Sequence, residues 1–126
     1  MSSPKFEHVK RQHPGVSALL DRLAAYMRTQ IRSGQQYIVP KLAAAALQLN
    51  DGEAFVLLDL LAQGGVMRRV YNVYCGKENA LLATVDSLEA LDEVAHCDFC
   101  NIDHDPSDLK VEVAFTPASD SRDLAA

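Results

Sequence analysis

No apolar run in the chain approaches the roughly 18 residues that a bilayer crossing requires, and the polar start MSSPKFEHVKRQHPG lacks the apolar core of a secretory leader. The expectation is a cytoplasmic protein with no membrane partner. Cysteine is scarce. Its three residues, an odd number, exclude a secreted framework of paired disulfides and leave thiols for a metal. Also missing are a phosphate-cradling glycine loop, an HExxH motif, a Ser/His/Asp set, and any His-carboxylate pair outside the cysteine region, so the chain reads as non-enzymatic. Internal repeats and a linker that would divide the chain are absent too.

What is present is an ordinary soluble composition, 48% hydrophobic and 23% charged over 126 residues. That length suits one domain able to bury about two-thirds of its unfolded surface. Net charge is -5, unevenly distributed: ten Lys/Arg against five Asp/Glu up to Lys77, then two against twelve from Glu78 onward. The basic first part permits contact with nucleic acid, and the acidic remainder opposes it.

The central stretch runs from Tyr37 to Gly65. Tyr37-Ile38-Val39 reads as a short strand, and Pro40 opens a helix whose inward face is expected to be Leu42, Ala45, Ala46 and Leu49. A turn at Asn50-Asp51-Gly52 follows, with Asp51 capping a second helix that turns Ala54, Leu57, Leu58 and Leu61 inward before Gly64-Gly65 stops it. Ahead of this pair, Ser17 to Arg32 carries Leu19, Leu20, Leu23, Ala24, Met27 and Ile31 on one side and Asp21, Arg22, Arg28 and Arg32 on the other, as a packed amphipathic helix does. After it, VMRRVYNVYC and ALLATVD read as a hairpin around Gly76-Lys77-Glu78-Asn79. LEALDEVA is expected to form a short helix, and LKVEVAF a last strand. Residues 1–15 are expected as a flexible basic arm, 16–116 as one domain, and 117–126 as a disordered tail.

The chemistry lies near the end. Cys97-x-x-Cys100 wraps one edge of a zinc tetrahedron from a single turn, and Cys75 with His104 completes a four-ligand set. His96, Asp98, Asp103 and Asp105 stay open as alternatives for the fourth position. A redox pair is disfavoured, because this CxxC does not follow a strand and open a helix. A structural zinc would contribute on the order of 10 kcal/mol, enough to order the acidic segment 87–116 and fasten the last strand.

Residues 17–86 resemble the winged-helix superfamily. With Cys75, Cys97 and Cys100 added, the chain is similar to small bacterial winged-helix proteins with a zinc-binding appendage, some of which accompany larger effectors in antiviral or regulatory operons. The resemblance implies an α+β fold: a three-helix core, a β-hairpin wing and a small zinc-bound β extension at the C-terminal side.

A DNA-reading winged helix would present Arg, Lys, Asn, Gln or Ser outward from its second helix. Here the outward set is Glu53, Val56, Asp59, Leu60 and Gln63, a poor phosphate surface. Phe55, Val56 and Leu60 point instead to an apolar contact with a protein partner or a second copy. The alternative, a DNA-binding regulator, would draw on Lys10, Arg11, Arg28, Arg32, Arg68 and Arg69 in the arm, first helix and wing.

Overall fold

Helix α1, Pro4–Gln12, begins with proline in its first turn, where a missing N–H costs nothing, and carries Glu7 in the first turn and Lys10 and Arg11 in the last, the order a helix dipole favours. The structure is a computed structural model, and it describes residues 4–76, 80–89, 96–97, 102–103 and 109–118, with backbone alone at 96–97 and 102–103. Residues 4–12 are thus no loose arm. Phe6 and Val9, three apart, are both fully buried, and two apolar residues at that spacing suffice to dock three turns of helix.

A 3₁₀ turn, Pro14–Val16, leads into α2, Ser17–Arg32, whose buried residues are Leu20, Leu23, Ala24 and Met27. Ser17 is the first helical residue and not the cap; Val16 holds that position without a side-chain bond. The helix ends at Ser33, followed by Gly34 at φ 99°. Helices α3, Pro40–Leu47, and α4, Asp51–Gln63, pack on each other, α2 packs on α3, and α1 lies against α2 and α4.

Two expectations about this pair are corrected. The buried face of α3 is Ala43, Ala44 and Leu47, while Leu42, Ala45 and Ala46 are exposed. The turn is made by Gln48, left-handed at φ 59°, and Asn50 caps α4 in a reciprocal capping box with Glu53. Asn50 accepts from the Glu53 N–H at 2.8 Å and its own N–H donates to the Glu53 carboxylate at 3.1 Å. Gly52 is merely helical. The inward face of α4 is as expected, with Ala54, Leu57, Leu58 and Leu61 buried.

The strands are β1, Met67–Cys75; β2, Leu81–Val85; β3, His96–Cys97; β4, Ile102–Asp103; and β5, Leu109–Pro117. The described residues therefore form an α+β fold of four helices and an antiparallel three-stranded sheet, ordered β2-β1-β5, with a small β3-β4 pair besides. Tyr71 pairs with Val85 and Val73 with Ala83; the register then slips so that Tyr74 meets Leu81. Ile38 makes a single bridge to Phe115 on β5, so the short segment after α2 joins the last strand and not the hairpin.

The chain divides into two compact units, Met1–Arg69 with Phe115–Ala126, and Val70–Ala114. The first unit holds the helical core. In the second, β1 lies between two neighbours and buries residues on both faces, Val73 and Cys75 alternating with Val70 and Asn72. Asn72, the buried polar residue there, accepts the Thr84 hydroxyl at 2.6 Å. The expected helix over 88–95 lies from residue 90 on outside the described residues, as does the tail from 119.

Candidate functional site

Of the four expected metal ligands, only Cys75 has a described side chain. It is fully buried at the end of β1, where its N–H closes the hairpin on the Ala80 carbonyl at 2.9 Å. Cys97 is placed by its backbone: β3 and β4 are antiparallel, with His96 opposite Asp103 and Cys97 opposite Ile102. Cys100 falls in the interval 98–101 between those paired positions, and it and His104 lie outside the described residues. All four positions belong to the second unit. Among the described residues, no group of three or more His, Cys, Asp or Glu is arranged to hold a metal ion.

In that same unit the Tyr74 hydroxyl donates to Glu112 at 3.4 Å. Partial burial pushes the Tyr74 phenol above its ordinary range, and the neighbouring carboxylate adds to the shift. Tyr74, Lys110, Val111 and Glu112 line a shallow groove there.

The expected protein-binding residues are distributed differently. Val56 is 56% exposed, on the outward side expected of it. Leu60 is half-buried. Phe55 is engaged within its own unit: its ring meets Phe115 edge-on at 5.9 Å between centroids, and the Arg69 guanidinium lies 5.0 Å over it. Spacing alone could not reveal this, since Arg69 and Phe115 come from elements far along the chain. Leu42, like Ala45 and Ala46, is a residue that the periodicity assigned to the wrong side. It is 60% exposed, the most exposed large apolar residue among the described residues. A helix reading PKLAAAAL is apolar all round, so its pattern cannot choose a face; only its neighbours can.

The six cations considered for DNA are unequal. Lys10 is tied to Asp21 at 2.8 Å and approached by Glu7 at 3.6 Å, and the hydrogen bond with Asp21 holds its ammonium above the ordinary lysine range. Arg69 is paired with Asp59 and stacked against Phe55 and Phe115. Arg28 is half-buried, with its Nε enclosed and unbonded. Arg11, Arg32 and Arg68 are exposed. Arg22, also exposed, donates to the Leu47 carbonyl at 2.9 Å and so caps the C-terminal end of α3.

No protein-family model matches the chain, and neither the curated proteins nor the solved structures provide a match. No helix among the described residues is long and apolar enough to cross a membrane.

Proposed function

We propose that the chain is a non-enzymatic, zinc-stabilised winged-helix module that binds protein, an adaptor or regulatory subunit. The helices α2, α3 and α4 followed by the β1-β2 hairpin support the winged-helix reading, in the order that superfamily uses. The observation that carries the function is the exposure of Leu42 on α3 and Val56 on α4, each more than half exposed, with Asp51 and Glu53 in the first turn of α4. Exposed leucine and valine among carboxylates repel phosphate and gain by covering with protein.

The metal reading rests on donor chemistry. Cys75, Cys97, Cys100 and His104 would hold zinc, with thiolates as the principal ligands, and the ion would serve as a staple for the acidic second unit. The competing reading is a DNA-binding regulator. It is weakened because Lys10 and Arg69 already answer carboxylates of their own chain.

Titration of the full chain with a mixed-sequence DNA duplex, followed by anisotropy at several salt concentrations, tests the choice. The module reading expects no association beyond a weak, unspecific level. Tight binding that falls steeply with salt, with a log-log slope of about -0.9 per phosphate contacted, would overturn it in favour of the regulator.

A further inference from the structure

We infer that the outer edge of β5 pairs with the same edge of a second copy of this chain, about a two-fold axis at Val111, so that two three-stranded sheets become one. This goes beyond the protein-binding reading above and uses none of the surface of α3 or α4.

The backbone decides which groups are on offer. In an antiparallel strand the N–H and C=O of one residue point to one edge, and those of the next residue to the other. Just past β5, Ala118 donates to the carbonyl of Val66, the residue before β1, at 3.1 Å, so the even positions of this strand face β1. Phe115 turns the other way: its N–H donates to the Ile38 carbonyl at 2.9 Å and its carbonyl accepts from the Ile38 N–H at 2.7 Å. The odd positions thus point outward, and Ile38 shows that this edge takes an antiparallel partner. The chain then leaves it, because α3 begins at Pro40. Among the described residues, nothing pairs with the edge from Leu109 to Val113.

The open stretch names its own occupant. Leu109-Lys110-Val111-Glu112-Val113 reads alike from either end, with the two charges exchanged. An axis at Val111 sets Val111 opposite itself and Leu109 opposite the copy's Val113, and these outward-pointing positions exchange both backbone bonds. Lys110 then faces the copy's Glu112 at a non-hydrogen-bonded position, where opposed side chains come closest, and the pair occurs twice because the contact is isologous. An axis at Lys110 or Glu112 would instead set like charges opposite, which is destabilising. A lysine on an edge strand ordinarily discourages pairing; here the copy supplies its counter-charge. Both charged residues are exposed, and the Tyr74 hydroxyl, 3.4 Å from Glu112, marks the face of the sheet that they share. On the other face Val111, 40% exposed, gains cover. The paired stretch spans only about 17 Å, below the scale of a standard interface, so the dimer is expected to depend on concentration.

Sedimentation velocity of the full chain over a wide concentration range tests this, with circular dichroism confirming that each variant folds. Wild type is expected to pass from monomer to dimer. Val111→Pro removes an N–H that points away from β1, so the sheet should stand while the dimer is lost. Lys110→Glu and Glu112→Lys each set like charges opposite and should each weaken association about tenfold. An equimolar mixture of these two variants restores both unlike pairs and should bring association back to within about threefold of wild type. The mixture decides even where the proline variant loses its fold. A wild type monomeric at every concentration, a folded Val111→Pro variant that still dimerises, or a mixture no better than its components would overturn the pairing.

Discussion

Gly64 shows how a single hydrogen atom can decide whether two helices meet. A Cβ at Gly64 would lie 2.3 Å from Cγ2 of Val9, and Val9 is fully buried. Gly64→Ala is therefore expected to destabilise by about 1–3 kcal/mol through overpacking. Urea melts should also show that Val9→Ala relieves part of this, a non-additive pair in a double-mutant cycle. Gln48 carries the opposite opportunity. Its left-handed backbone is strained for any side chain with a Cβ, and Gln48→Gly should raise the urea midpoint by about 0.5–1 kcal/mol equivalent. Tyr26 provides a pH dependence. Burial raises its phenol pKa in the folded chain, so the folded state keeps a proton that the unfolded state releases. Stability is then unaffected below about pH 10 and declines as pH rises further. Tyr26→Phe should flatten that alkaline decline in melts recorded from about pH 9 to 11. Little of this residue detail was legible beforehand. The Gly64-Gly65 stop was, but not that Val9 lay over it; the turn was, but placed at Asn50-Asp51-Gly52, whereas the left-handed residue is Gln48.

Elements were legible where their apolar residues form one stripe against a polar remainder. The bounds of α2 and the inward face of α4 follow from spacing, because Asp21, Arg22, Glu53 and Gln63 leave one side free to bury. Helix α3 fails that condition, and so its faces were exchanged. Helix α1 failed for the opposite reason, since two apolar residues in a charged stretch give too weak a period. Arg69, Asp59, Phe55 and Phe115 join β1, α4 and β5 within the first unit. Arg69→Lys keeps the charge but loses the flat stacked ion, and about 1 kcal/mol of stability should go with it. A chemical melt of the variant checks the value. An unchanged melt would return Arg69 to the pool of cations available to a partner.

At the scale of the molecule, charge and cysteine placement divide the chain much as its contacts do. The basic, largely helical first unit is Met1–Arg69 with Phe115–Ala126, and the acidic second unit, Val70–Ala114, holds Cys75, Cys97, Cys100 and His104. The CxxC was visible in the sequence as spacing. The antiparallel pairing of Cys97 with Ile102 adds the backbone setting that spacing alone could not supply. The proposed ion would staple the stretch from Asp98 to Asp108, where few apolar side chains offset the loss of chain entropy. The most direct measurement is therefore the zinc content of the purified chain, beside a Cys97→Ser and Cys100→Ser variant. One zinc per wild-type chain and none in the variant is the predicted result; equal and negligible metal in both would contradict the account.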